Sequence, residues 1–247
     1  MKIRMMLAAA IVLGISATSL YGQEPLGYLE KNNAVALKFG AAFFPDNDFM
    51  SYYRMPRGDY YDYVGEFSYE RRFLDRFGIE VAFGYTHAEE TYTSETVLGY
   101  LGGSPVARTS QDFQIRRFYI SPSVKVYMPV RPDALFYLGA GPDYCLAGLE
   151  MKATIDGTSF DVSDDKSAYG VHVLAGFEYY FYKFPGKEGL IDTPVSFIAE
   201  CRYAWITVDN ADEELSAAYG REKGTALPLH DLAVGGHTVM VGFRWHF

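Results

Sequence analysis

Apolar side chains recur at every second position along most of the chain, which is the period of a β-strand with one covered face. In residues 35–43, for example, Val, Leu and Phe alternate with Ala, Lys and Gly. Seven later segments repeat this pattern, and no helical period interrupts them. The eight predicted strands cover residues 35–43, 61–70, 79–86, 118–128, 136–145, 171–180, 197–205 and 238–247.

The predicted connections between these strands alternate in length. Segments 45–59, 88–112, 148–168 and 208–231 are long, segments 71–76 and 129–133 are short, and the segment after the sixth strand is intermediate. An even number of strands with short turns at one end and long loops at the other is typical of bacterial outer-membrane barrels. We therefore predict an all-β fold, an eight-stranded antiparallel up-and-down transmembrane β-barrel. Its short turns and both termini face the periplasm, its long loops are extracellular, and its last strand pairs with the first.

The two faces of the predicted strands differ in composition. One face carries Tyr, Phe and Trp towards the strand ends, as the aromatic girdles of membrane barrels do. The other face collects glycine and charge, which suits a narrow lumen. The alternative is a secreted soluble lipocalin-like barrel that binds a small ligand, and its apolar face would lie inside.

Charged side chains on the second face are the candidate site. A charge on the lipid side would cost about 2–4 kcal/mol at mid-depth, so these groups are expected to point into the lumen. The predicted lumen charge network consists of Lys38, Glu66, Glu80, Lys125, Glu178, Glu200, Arg202 and Arg244. Strand order predicts the pairs Glu80–Lys125, Glu66–Lys38, Glu200–Arg244 and Glu178–Arg202. We expect a salt-bridged plug, because an eight-stranded interior is only just wide enough for side chains. A selective path for a small solute is the alternative.

The first residues have a different pattern from the rest of the chain. Lys2 and Arg4 precede an apolar or small-residue run over residues 5–19, and small residues follow. This pattern predicts a signal peptide over residues 1–22, too short to span a bilayer comfortably. Residues 23–247 are then one outer-membrane β-barrel domain. No later apolar run approaches the roughly 20 residues of a membrane helix.

Composition narrows the function classes. Of 247 residues, 31 are acidic and 22 basic, for a formal charge of −9, so we expect no nucleic-acid partner. Cys145 and Cys201 are predicted to point to opposite faces and so not to form a disulfide.

Three segments resemble a known group of proteins. They are "LFYLGAGPDY" at residues 135–144, "FIAECRYAW" at residues 197–205 and the final "VGFRWHF". The chain resembles the small eight-stranded outer-membrane proteins of the OmpW, OmpX and opacity-protein type. Pro142 and Asp143 depart from the small apolar residues often found in that group.

The resemblance implies a location in the bacterial outer membrane, contact with its lipid, and a role without enzymatic turnover. That role is structural, surface-interacting or porin-like, with passage of small hydrophobic solutes. It also implies that Phe243, Trp245 and Phe247 are the signal read by the outer-membrane barrel assembly machinery. Loops such as "YYRMPRGDYYDY" at residues 52–63 offer Tyr and Arg to an extracellular partner.

The rival function within this group is a lipid-modifying barrel enzyme. It needs a His beside a Ser or Asp at one height on the lipid-facing rim, and the sequence offers no such pair. His172 points inward and is followed two residues on by Leu174. No metal-ligand motif or phosphate-binding loop is present, so no catalytic residue, cofactor or metal is predicted.

Overall fold

The computed structural model describes residues 32–45, 48–53, 61–73, 76–92, 96–101, 104–131, 133–181 and 195–247. The predicted signal peptide lies outside the described residues. The described strands are β1 (Asn33–Phe43), β2 (Tyr61–Phe73), β3 (Phe77–Tyr92), β4 (Thr96–Leu101), β5 (Ser104–Arg131), β6 (Ala134–Ile155), β7 (Thr158–Phe181), β8 (Val195–Val208), β9 (Leu232–Ala233) and β10 (Gly236–His246). The helices are α1 (Asp48–Tyr52) and α2 (Glu213–Lys223).

Eight strands form a closed antiparallel ring in the order β1, β2, β3, β5, β6, β7, β8, β10. Strand β10 pairs with both β8 and β1, which closes the ring. The closure continues to Asn33 and Phe247, whose backbone N–H groups each donate to the other's carbonyl at 3.3 and 2.9 Å. The predicted eight-stranded antiparallel barrel is confirmed. None of the described helices is long and apolar enough to cross a membrane.

Four strands, β3, β5, β6 and β7, are much longer than the sequence pattern predicted, because they continue beyond the apolar band. Much of the predicted loop 88–112 is strand in β3, β4 and β5, and the predicted loop 148–168 is mostly the paired ends of β6 and β7. Asp156 and Gly157 connect β6 to β7 with φ angles of 48° and 74°. Positive φ at both central residues is the requirement of a tight hairpin turn, and an Asp-Gly pair meets it.

The fourth predicted loop, residues 208–231, contains helix α2. Glu213 and Glu214 lie in its first turn, and Arg221 and Lys223 in its last, which complements the helix dipole. Gly224 ends the helix in the left-handed region at φ 78°, where its N–H donates to the Gly220 carbonyl at 2.8 Å. The loop prediction for residues 208–231 is therefore wrong for residues 213–223, where contacts with the β6–β7 hairpin stabilise the helix.

The outward face of the barrel changes from apolar to charged at one level. Phe118 and Leu146 are cross-strand partners and both are exposed. The next outward pair along β5 and β6 is Arg116 and Gly148, and Asp165 on β7 is level with Gly148. The exposed aromatic Tyr169 lies close to this boundary. The boundary marks the end of the apolar band nearest the long connections.

The interior has two layers. The layer nearer the short turns contains most of the buried charged side chains. The layer at the opposite end, which we call the apolar cap, is a cluster that joins helices α1 and α2 to the inner faces of β3 and of β5 to β8. Its members are Phe44, Phe49, Tyr53, Ala88, Phe113, Ile115, Cys145, Ala147, Leu149, Met151, Ala153, Ile155, Phe160, Ala168, Ala204, Ile206, Val208, Ala211, Leu215, Tyr219, Leu227, Leu232 and Val234.

Candidate functional site: a charged lumen under an apolar cap

All eight residues of the predicted lumen charge network point into the barrel. The most exposed, Arg202, retains only 7% of its accessible surface. On the described barrel strands, seven carboxylates and six basic side chains are buried: Asp62, Glu66, Glu70, Glu80, Asp143, Glu178 and Glu200 with Lys38, Arg72, Arg117, Lys125, Arg202 and Arg244. The numbers of buried acidic and basic groups are nearly equal, as expected because an unpaired buried charge is costly.

Two lysines occupy the centre of the lumen. Lys38 Nζ contacts Glu66 and lies 3.1 Å from Glu200 Oε1 and 3.4 Å from Glu80 Oε1. Lys125 Nζ lies 2.8 Å from Glu80 Oε1 and 3.4 Å from Glu200 Oε2. The structure therefore brings together both the Glu66–Lys38 and the Glu80–Lys125 pairs.

Oxygens of Glu66, Glu80 and Glu200 lie within 4.8 Å of one another, as in a cation site. Lys38 Nζ is in ion-pair contact with all three carboxylates. The ammonium group of Lys38 therefore lies where a bound cation would lie, and it partly neutralises the charge of the three carboxylates.

Two tyrosines, Tyr119 of β5 and Tyr137 of β6, extend into the lumen. Tyr119 donates to Glu66 Oε2 at 2.8 Å, and Tyr137 donates to Glu200 Oε2 at 2.9 Å. A Cβ at Gly84 would lie 2.0 Å from the Tyr119 ring, and one at Gly176 would lie 2.2 Å from the Tyr137 ring. The inward glycines thus provide the space in which these rings cross the barrel.

Arg244 is at the centre of the cluster nearest the short turns. Its guanidinium lies 2.7 Å from Glu178 Oε2, 3.1 Å from Glu80 Oε2 and 3.2 Å from Glu70 Oε2. His246 Nε2 lies 2.9 Å from Glu178 Oε1. The predicted Glu200–Arg244 pair is wrong. Glu200 is level with Met240 and Arg244 with Ser196, so the two charges lie at different heights on neighbouring strands.

The sequence interpretation missed Arg72, which it assigned to a short turn. Arg72 lies inside β2 and is 4% exposed. It pairs with Glu70 and with Glu178, both at 2.6 Å, and donates to the Tyr180 hydroxyl at 2.5 Å. The signal was present in the sequence, because Arg72 continues the inward set of Glu66, Ser68 and Glu70.

Arg202 belongs to a separate polar cluster nearer the cap. It pairs with Asp143 and lies 3.4 Å from Glu66 Oε2. The predicted Glu178–Arg202 pair is wrong, because Arg202 is level with Leu174, four residues along β7 from Glu178.

His172, Asp143 and Ser123 have the connectivity of a hydrolase triad. His172 Nδ1 lies 3.0 Å from Asp143 Oδ1, and His172 Nε2 lies 2.8 Å from Ser123 Oγ. The sequence had suggested no such pair, because the three residues lie on three different strands. All three are at most 3% exposed and face the lumen, not the lipid. Arg202 and Ser121 also donate to Asp143 Oδ1. A nucleophile must reach a substrate, so this geometry is that of a buried hydrogen-bond network.

A second set of contacts connects the two helices of the cap. Asp212 is fully buried and accepts from Tyr53 Oη at 3.0 Å and from the His230 backbone N–H at 2.8 Å. His230 Nδ1 lies 2.7 Å from Asp212 Oδ2, and its ring stacks on Tyr52 with centroids 3.9 Å apart. Burial and the nearby charge of Asp212 raise the pKa of Tyr52. We call Tyr52, Tyr53, Asp212 and His230 the cap clasp.

Helix α2 is also connected to the β6–β7 hairpin. Tyr219 donates to Asp156 Oδ2 at 2.7 Å and packs on the Phe160 ring at a centroid distance of 5.7 Å. Burial and the Asp156 carboxylate raise the pKa of Tyr219 to about 12. Lys166 of β7 pairs with Glu213 at 2.7 Å. Despite the opposing effect of burial, hydrogen bonds to Glu213 and Asp164 raise the pKa of Lys166.

The two cysteines and the aromatic residues of the last strand lie where the pattern placed them. Cys145 is buried, Cys201 is exposed, and neither forms a disulfide. Phe243 and Phe247 are about half exposed on the outward face. Of the segment 52–63, residues 54–60 lie outside the described residues.

The closed ring of eight strands, with its apolar outer band and charged interior, agrees with the comparison with protein families. The model of the outer membrane protein beta-barrel domain matches residues 6–247. The chain belongs to this family. It is therefore a bacterial outer-membrane barrel, its apolar band contacts membrane lipid, and its long connections are extracellular.

Solved structures with a similar fold include neisserial surface protein A, at 15% identity over 87% of this chain and 96% of that one, with a TM-score of 0.43. The attachment invasion locus protein Ail of Yersinia pestis is 11% identical over 88% of this chain and 99% of its own, with a TM-score of 0.40. The N-terminal barrel domain of Pseudomonas aeruginosa OprF is 11% identical over 88% of this chain and 98% of its own, also with a TM-score of 0.40. No match was found among curated proteins.

Proposed function

We propose that this protein is a non-enzymatic outer-membrane barrel whose lumen is closed and whose extracellular part acts as a surface structure. The observation that carries the proposal is the contact of Lys38 with carboxylates from three strands at the centre of the barrel. Tyr119 and Tyr137 cross the same section, and the apolar cap lies beyond it. Side chains therefore occupy the path that a solute would take.

The extracellular part supports a surface role. The outer face of the β6–β7 hairpin is polar. Its cross-strand pairs include Lys152 with Asp161 and Glu150 with Ser163. The inner face of the same hairpin packs in the cap through Met151 and Phe160. This is a folded sheet with one solvated face, which presents a fixed surface outside the cell.

Liposome permeability tests the closed lumen against the passage of small hydrophobic solutes. The purified full chain is reconstituted into liposomes that enclose a self-quenching dye and, separately, an apolar fluorophore. We expect no release of either beyond that of protein-free liposomes. Selective release of the apolar fluorophore would support the solute-passage function instead.

We also propose that the barrel assembly machinery reads Phe243, Trp245 and Phe247. This proposal is supported by the outward exposure of Phe243 and Phe247 at the end of the chain, where β10 closes the ring. Phe247→Ala is expected to reduce the heat-modifiable folded form in outer membranes, whereas Phe39→Ala, an exposed aromatic of β1, is expected to reduce it less. Equal effects would contradict the signal role.

A further inference from the structure

The ladder between β5 and β6 is interrupted at one place within the apolar band. Cross-strand pairing stops after Ile120–Tyr144 and resumes at Val124–Ala140. The three positions between these pairs on each strand, all of them described, have no ladder partner across the gap. Both flanking pairs have the same register, so no residue is inserted in either strand. We call this gap in the wall the seam.

Two prolines account for the seam. The register on either side places Pro122 of β5 level with Pro142 of β6. At alternate positions of an antiparallel ladder, the two facing residues exchange two N–H···O bonds, and proline has no N–H. Because both facing residues are proline, both bonds are lost at one height. The neighbouring ladders are continuous there, since Pro122 is paired with Val81 of β3 and Pro142 with Val171 of β7.

Backbone packing closes the seam in place of hydrogen bonds. A Cβ at Gly141 would overlap the Pro122 carbonyl oxygen, so the glycine lets the two strands lie in contact. The inward side chains of β5 beside it, Ser121 and Ser123, are small. Separation of the strands at the seam breaks no ladder hydrogen bond, whereas elsewhere along β5 and β6 it breaks two at every second position. Opening is therefore easiest at this place.

A polar cluster lies directly behind the seam. Asp143 follows Pro142, faces the lumen and is 2% exposed. Its Oδ1 accepts from Ser121 and Arg202 and lies 3.0 Å from His172 Nδ1. Its Oδ2 has no hydrogen-bond partner among the described residues. A buried carboxylate oxygen without a donor is unfavourable, so Oδ2 offers an acceptor to a donor that reaches it.

We propose that β5 and β6 separate transiently at the seam and admit a small uncharged molecule with a hydrogen-bond donor from the membrane to Asp143 Oδ2. This route crosses the wall and does not follow the barrel axis, where Lys38 holds carboxylates from three strands. The seam can therefore open while the lumen stays closed from end to end. The proposal concerns access and requires no reactivity of Ser123, so it is independent of the non-enzymatic function.

Thiol labelling behind the seam tests the opening. Cys145→Ala and Cys201→Ala remove the native thiols of the full chain, and Ser121→Cys then places one thiol on the inner face of β5. The barrel in liposomes is treated at a pH of about 9, where a free thiol is largely ionised. One reagent is N-ethylmaleimide, which is uncharged and enters the bilayer, and the other is a methanethiosulfonate with a sulfonate group, which stays in water.

We expect labelling by N-ethylmaleimide and not by the sulfonate reagent. No labelling of the folded barrel by N-ethylmaleimide would overturn the proposal. Equal labelling by both reagents would also overturn it, because the sulfonate reagent can arrive only from water along the lumen.

Two substitutions restore the ladder and locate the route. Pro122→Val and Pro142→Val each return one N–H to the seam. In the Ser121→Cys protein, each is expected to slow labelling roughly fivefold, the effect of one added hydrogen bond. Pro129→Val makes the same change near the end of β5 and is expected to leave the rate unchanged. If the double variant fails to fold, Pro142→Val alone decides, because an unchanged rate there contradicts the route through the seam.

Discussion

Arg244 and Glu178 form an ion pair across the lumen, 2.7 Å apart, although their strands β10 and β7 are not neighbours in the ring. Such a contact is possible because an eight-stranded barrel is narrow enough for two side chains to span. Lys38 of β1 and Glu200 of β8 make the same kind of crossing at 3.1 Å. These ion pairs thus connect strands that are not hydrogen-bonded neighbours in the ring.

Removal of one partner from this network is expected to be strongly destabilising. Arg244→Met leaves Glu178, Glu70 and Glu80 without their shared cation, and loss of one partner of a buried pair costs about 3–5 kcal/mol of unfolding free energy. Urea titration of the reconstituted barrel, read by gel mobility without boiling, measures this change.

Arg221→Met is the matched control, because Arg221 is exposed on helix α2. Exposed substitutions of this kind usually change stability by about 0.5 kcal/mol or less. Similar unfolding midpoints for the two variants would show that the network does not stabilise the barrel.

The cap clasp is expected to depend on the charge of Asp212. Asp212→Asn loses a carboxylate oxygen that accepts from Tyr53, and hydrogen bonds to charged groups contribute about 1.5–3 kcal/mol. We expect faster hydrogen exchange at the Ala211 amide, which donates to the His230 carbonyl across the clasp. Asp209→Asn, at an exposed position close by, should leave that exchange unchanged.

Alkaline pH is expected to loosen the attachment of helix α2 at Tyr219. A free tyrosine has a pKa of about 10, and the pKa of Tyr219 is raised to about 12. A raised pKa means that the contribution of the protonated hydroxyl to stability is complete below pH about 10 and is lost as the pH rises through about 12.

The difference in tyrosinate absorbance between the native protein and Tyr219→Phe measures this pKa directly. A midpoint near 12 in that difference supports the Asp156 contact. A midpoint near 10 would contradict it.

The buried Ser123–His172–Asp143 network is expected to be chemically inert. Ser123 is 3% exposed and Asp143 is held by Arg202 as well as by His172. A fluorophosphonate probe should therefore leave the folded barrel unlabelled, as judged by intact mass. Labelling that Ser123→Ala abolishes would contradict the non-enzymatic function.

The alternation of apolar and polar residues was enough to predict the ring, its strand order and its inward charges, because every inward residue sits two positions from the next. The alternation within a strand does not fix its register against the next strand. Two of the four predicted ion pairs, Glu200–Arg244 and Glu178–Arg202, therefore joined residues at different heights in the barrel. Arg72 and Arg117 were not predicted as inward charges, because the predicted strands 61–70 and 118–128 stopped where the alternation of apolar residues stopped. In the structure, β2 and β5 continue past both residues. Helix α2 was missed because its contacts, such as Tyr219 with Asp156, are tertiary.

Single-channel recording in planar bilayers tests the closed lumen most directly. The full chain is inserted from detergent and recorded at both polarities. With Lys38, Lys125 and Arg244 bound to carboxylates across the lumen and the apolar cap beyond them, we predict no sustained conductance above the bare bilayer. A stable, reproducible conductance in the native protein would contradict the account.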